Sequence, residues 1–187
     1  MDILTKSELL SYSSAKKTYS SLNESLKTFS NESKYNKITI FLSHKHDERT
    51  ELEAAISFLK QFGVDVYIDW MDEEMPKYTS GKTANRIKNK IKENDKFILL
   101  ATDSAVASKW CNWELGYGDA QKYINNIAIL PVKSDYGQYN GSEYLQIYPY
   151  IDKKKSPYSS NTYFVVVFPD GNEIRLEEWL NNKRRIL

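Results

Sequence analysis

The chain has 187 residues, 41% hydrophobic and 27% charged, a composition that suits one well-cored globular domain. Its 26 Lys and Arg against 25 Asp and Glu leave a net charge of +1, which argues against general affinity for nucleic acid, and no apolar run approaches the ~18 residues of a membrane span. The start, "MDILTKSELLSYSS", has neither a basic n-region nor an apolar h-region, and a lone cysteine, Cys111, supplies neither an internal disulfide nor a thiolate metal centre, so a cytoplasmic location is expected.

Residues 1–36 are rich in Ser, Lys and Asn. Apolar residues at Tyr12, Ala15, Tyr19, Leu22, Leu26 and Phe29 alternate three and four apart, which predicts an amphipathic helix with a narrow seam. This segment is read as an extension outside the core, laid on its own domain or offered to a partner, with the domain proper spanning 37–187. From Ile38 the pattern changes: "ITIFLS" (38–43) reads as a strand buried on both faces. "TELEAAISFLKQFG" then predicts a helix opened by a Thr50–Glu53 capping box and closed at Gly63. "VDVYIDW" (64–70) is a second strand, followed by a polar loop holding Pro76 and Gly81 and by the helix "TANRIKNKIKEN".

"KFILLAT" (96–102) is a third strand and leads into a helix beginning near Ser108. "IAILPV" (127–132) is a fourth, stopped near its end by Pro131, and "TYFVVVF" (162–168) a fifth. The stretch 133–161 reads mostly as loop with a short helix around 142–148, and "LEEWLNNKRR" as the last helix. The runs "KKK" (153–155) and "KRR" (183–185) read as solvated surface. Strand alternating with helix predicts an α/β fold: a flavodoxin-like doubly wound parallel sheet of about five strands with flanking helices. Ligands bind such sheets at the carboxyl ends of the strands, which selects the loops at Ser43, Asp69 and Thr102.

The third of these loops runs into "SKWCNWELG" (108–116). A helix starting at Ser108 puts Trp110 and Glu114 one turn apart on one face, an aromatic plate beside a carboxylate, which suits a planar cation. Trp113 is expected to point elsewhere, into the core. Gly116 and Gly118 each cost ~1 kcal/mol inside a helix and predict close approach of a backbone or ligand. Cys111, at a helix N-terminus, has the setting of a lowered thiol pKa, yet no base is placed to activate it. His44 and His46 alternate along the chain and face opposite sides if extended, which argues against a two-histidine metal site. Hydrogen bonding or positive charge toward a phosphate is the reading given to them, with Lys45 and Arg49. No glycine-rich phosphate loop follows any strand, which disfavours Rossmann-type redox use of NAD.

"ITIFLSHKHDE", "VYIDW" before a long polar loop, "LLATDSAVASKWCNWELG" and "IAILPV", in this order, resemble a TIR (Toll/interleukin-1 receptor) domain from about Ile38 to Val132. The likeness is to bacterial and plant members that cleave NAD, among them stand-alone proteins of anti-phage defence (Thoeris-like). Its most specific part is the W-x-x-x-E element, Trp110 and Glu114, after the S-x-x-x-S segment Ser104 to Ser108. The resemblance implies that Glu114 is the catalytic glutamate and that Trp110 lines the nicotinamide side. It also implies that Ser43, His44 and Lys45 border the site, that Asp69 and Trp70 open the loop governing access, and that copies assemble through that 69–81 loop. NAD is then the substrate, with no resident cofactor or metal and with a separate effector answering the product. The chain departs from the family where an Arg-Asp pair and an adjacent Pro-Gly are usual: "DWMDEEMPKYTSG" carries four acids between Asp69 and Glu74 and separates Pro76 from Gly81. A Phe-Trp pair near the end of the domain is also missing.

One carboxylate suits this chemistry. Nicotinamide leaves a pyridinium as a neutral molecule, so no second carboxyl need protonate it, unlike the leaving group of an ordinary glycoside. Three other readings compete. A non-catalytic TIR interaction module has no use for the Trp110–Glu114 pair. A nucleoside ribosyltransferase does not predict "FLSHKHD" and "SKWCNWELG" in these places. A phospho-receiver needs clustered acids where this chain has Ser43, His44 and Lys45.

Overall fold

The computed structural model describes residues 2–13, 37–69, 80–139, 141–157 and 161–182. In chain order the strands are β1 (Leu4–Thr5), β2 (Thr39–Ser43), β3 (Asp65–Tyr67), β4 (Lys96–Ala101), β5 (Ile127–Lys133), β6 (Tyr150–Lys155), β7 (Thr162–Val167) and β8 (Glu173–Arg175). The helices are α1 (Lys6–Leu10), α2 (Arg49–Lys60), α3 (Gly81–Glu93), α4 (Asp103–Val106), α5 (Lys109–Lys122), α6 (Ser142–Ile147) and α7 (Leu176–Asn181). One sheet runs β3-β2-β4-β5-β6-β7-β8, with β1 pairing β5. Strands β2 to β6 and β1 are joined by parallel pairing, and β7 and β8 continue the sheet antiparallel.

Period-two alternation divides each central strand between two apolar layers. Ile40, Leu42, Ile98, Leu100, Ala128 and Leu130 face the layer formed with α2 (Leu52, Ala55, Leu59) and α7 (Trp179). Phe41, Phe97, Leu99, Ile127 and Ile129 face the other, with Ile87 and Ile91 of α3 and Cys111 and Leu115 of α5. Helices on both faces confirm the doubly wound α/β fold. Its strand order reverses between β2 and β4, whose following helices cover opposite faces, and this opens a crevice at their carboxyl ends.

The sheet is larger than the five strands expected. β7 falls where the fifth was placed but lies antiparallel to β6, with Ile151 opposite Val166. Strand β6 occupies part of the presumed loop. Two of its lysines are matched by acids, Lys153 by Glu8 and Asp2 and Lys154 by Asp152 of the same strand and Glu173, so only Lys155 of the run is exposed as anticipated. β5 continues through Pro131 to Lys133, because Leu4 and Thr5 pair with it at Val132 and Lys133.

The first residues likewise belong to the core and not to a detached extension. Ile3, Leu4 and Leu9 are buried, and Asp2 N–H donates to the Asp152 carboxylate at 2.7 Å. The capping box lies here, between Thr5 and Glu8, whereas α2 begins at Arg49 with no side-chain cap and leaves Thr50 and Glu53 inside the helix. Gly63 follows α2 at φ +75°, a left-handed turn that glycine adopts without cost. Most of the proposed seam from Ala15 to Phe29, the loop at 70–79 with Trp70 and Pro76, and the run 183–185 lie outside the described residues.

Candidate functional site

Helix α5 starts where expected: the Ser108 hydroxyl accepts from Cys111 N–H at 3.4 Å. This start sets Glu114 over the crevice. The residue is 2% exposed, and Ser43 Oγ, at the last residue of β2, donates to Glu114 Oε2 at 2.6 Å. Burial, and secondly the negative charge of Asp69, push the Glu114 carboxyl up to about 8, opposed by Ser43, His46 and the Trp110 indole. A carboxyl so placed holds a proton near neutrality, and a positive charge brought beside it favours the carboxylate.

After Ser43 the chain leaves the extended conformation and turns, with Glu48 N–H donating to Lys45 C=O at 3.0 Å. The two histidines therefore do not diverge, as an extended chain would make them. Their rings lie 5.5 Å apart. His44 is buried, its Nδ1–H donating to Leu42 C=O at 3.0 Å, while half-exposed His46 donates from Nε2 to Asp69 Oδ2 at 3.1 Å. Burial lowers the His44 pKa, and the hydrogen bond with Asp69 raises that of His46. Asp69 follows β3 and is itself buried.

Ser43, His44, Asp69 and Glu114 thus lie together at one crevice. Lys45 turns to the rim, paired with Asp47 at 3.3 Å. Sequence reasoning gave His46 no partner. Its signal was the acid at the end of the next strand, 23 residues on.

The aromatic surface differs from expectation. Trp113 is partly buried against the layer of Phe97 and Leu115 but not enclosed by it, and lies between Trp110 (centroids 4.9 Å apart) and Tyr117 (6.2 Å), with Lys88 over its ring. Gly116 faces open space, and no other backbone approaches it. Gly118 is close to a side chain: a Cβ there would lie 3.0 Å from the Phe97 ring. Cys111 donates its thiol to His44 C=O at 3.3 Å, and burial pushes it up to about 11 despite the helix N-terminus, so it fills space and anchors the loop.

A doubly wound sheet with a buried glutamate at its switch point defines a protein of the flavodoxin-like α/β class. A family model described as "TIR domain" matches residues 40–163, and the chain belongs to the TIR domain family. It is 30% identical over 192 residues to a protein of Bacillus cereus (strain MSX-D12) named "Probable 3' cyclic ADP-D-ribose synthase ThsB'", over 96% of this chain and 98% of that one. No helix among the described residues is long and apolar enough to cross a membrane.

Proposed function

We propose that this chain is a TIR enzyme that breaks the nicotinamide–ribose bond of NAD and closes the remaining ADP-ribose into a cyclic signal. The observation that carries this reading is the Glu114 carboxyl, buried at the β2–β4 switch point and held by Ser43. The name of the Bacillus cereus relative supports the cyclic product.

NAD brings a pyridinium toward Glu114, and the positive charge favours the carboxylate over the acid. As the C–N bond breaks, its electron pair goes to nicotinamide, which leaves neutral. Positive charge moves to the ribose carbon, where the fixed carboxylate stabilises it in a crevice shielded from water. A ribose hydroxyl of the same molecule then attacks that carbon, a C–O bond forms, and the hydroxyl proton passes to Glu114. A group titrating near 8 suits such a proton acceptor. Trp110 flanks the pyridinium, and Ser43, His44, Lys45, Asp69 and Trp70 border the substrate. NAD is consumed as substrate in the cytoplasm, copies assemble through the 69–81 loop, and a separate effector responds to the product in defence against phage.

The test is nicotinamide release from NAD by the full chain at high concentration, beside Glu114→Gln, with products separated by chromatography. Wild type is expected to release nicotinamide together with a cyclic product, and the variant to be slower by ~10²–10³. Release of linear ADP-ribose alone removes the cyclase assignment, and equal release by both proteins removes Glu114.

A further inference from the structure

We propose that His44, His46 and Asp69 form a binding site for one divalent transition-metal cation of the zinc class. Each residue offers one ligand atom, His46 Nε2 on releasing to solvent the proton it donates to Asp69, and the three atoms lie within 4.8 Å of one another. His46 Nε2 is 3.1 Å and His44 Nε2 3.9 Å from the Asp69 carboxylate oxygens. Tetrahedral zinc, with bonds of ~2.0–2.2 Å to nitrogen and oxygen, sets its ligands about 3.3–3.5 Å apart. The two distances run to different oxygens of Asp69, Oδ2 for His46 and Oδ1 for His44, and the three donor atoms lie within 4.8 Å of one another, so side-chain rotations that draw the donors together close the geometry.

The tautomer of His44 carries the argument. A carbonyl oxygen can only accept, so Leu42 C=O fixes the proton of the neutral ring on Nδ1. Nε2 then presents a lone pair. It is buried, has no hydrogen-bond partner among the described residues, and faces a carboxylate oxygen to which it has no proton to give. Two electron-rich atoms opposed in a buried place are unfavourable unless a positive charge lies between them. A backbone carbonyl on the far nitrogen is also the usual device that orients a metal-binding imidazole.

The donor set selects the metal. Two imidazoles and one carboxylate suit zinc and its first-row neighbours, whereas magnesium and calcium take oxygen ligands. Three protein ligands leave a fourth position for water or for an oxygen of a bound molecule. The site ties the loop after β2 to the end of β3, and Ser43, next to His44, holds Glu114. Metal binding as such does not depend on the NAD reading.

The chain contains two histidines and one cysteine, and that cysteine is buried, which makes the experiment clean. Tag-free protein, stripped with chelator, is titrated with Co²⁺ and Zn²⁺ by absorption and calorimetry, while the ring protons of both histidines are followed by NMR. One equivalent is expected to bind, with cobalt bands of a four-coordinate site and both rings responding together. His46→Ala, on the half-exposed ligand, and Asp69→Asn are each expected to weaken binding at least tenfold, and Mg²⁺ not to compete. A wild type that shows no saturable binding of either ion overturns the proposal, as does affinity unchanged in both variants. Thermal melts of the variants without metal separate a lost ligand from a lost fold, and a folded His46→Ala that binds like wild type is also fatal.

Discussion

Ser43 Oγ donates to Glu114 Oε2 at 2.6 Å, joining the carboxyl end of β2 to the second turn of α5 across 71 residues of sequence. It is the short hydroxyl bond to a carboxyl that burial would otherwise leave costly. Because it favours the carboxylate, it holds the proton affinity of Glu114 below what burial and Asp69 alone would set. Ser43→Ala is expected to move the rising limb of the pH–rate profile to higher pH and to lower the rate at pH 7 by about ten- to a hundredfold, the worth of a hydrogen bond to a charged group. Steady-state kinetics of nicotinamide release from pH 6 to 9.5 check this. An unmoved limb shows that the bond does not tune the glutamate.

The same carboxyl links stability to pH. Its folded pKa of about 8 lies above the ordinary 4.5, so the folded chain holds a proton that the unfolded chain has released. That contribution is complete below 4.5 and is lost as pH rises through 8. Glu114→Gln stays neutral throughout. Its melting temperature is therefore expected to gain on wild type between pH 5 and 9, by at least ~3 °C, about one kcal/mol for a domain of this size. Taking the difference between the two proteins cancels groups that do not interact with Glu114, such as Lys96, which burial lowers to about 8. A constant gap across the range contradicts the elevated proton affinity.

The two glycines of α5 predict opposite outcomes. Gly118→Ala places a methyl 3.0 Å from the Phe97 ring in a packed layer, an overpacking expected to cost ~1–3 kcal/mol. Gly116→Ala meets nothing within 4 Å and is expected to stabilise by up to ~1 kcal/mol through helix propensity. Urea unfolding of both variants decides it, and destabilisation of both shows that the helix needs glycine for another reason.

At the N-terminus, Leu9 is fully buried between the sheet and its helices. Leu9→Ala is expected to cost ~2–5 kcal/mol, as core truncations do. A loss under 1 kcal/mol, measured by denaturant unfolding, shows that α1 is a loosely applied extension.

Much of the fold is legible because its signals are local. "ITIFLS", "KFILLA" and "IAILPV" are continuous apolar runs, and such runs suit strands covered on both faces. Ser108, three residues ahead of the N–H it caps, announces α5 and with it the shared face of Trp110 and Glu114. The pieces that escape are those whose partners are remote. "YIDKKK" hides a strand because three lysines oppose burial, and Glu8, Asp2 and Glu173, brought from other segments, together with Asp152 of the strand itself, pair Lys153 and Lys154.

The candidate site divides along the same line. By itself the sequence determined which residues reach the carboxyl edge of the sheet, since strand ends and helix starts are written in periodicity and caps. Tertiary structure decided what those residues are chemically. The turn after Ser43 brings His44 and His46 to one carboxylate, and the packing of α5 on β2 and β4 removes Glu114 from water beside Asp69. Desolvation and through-space charge depend on which distant segments meet, and no local pattern of residues encodes them.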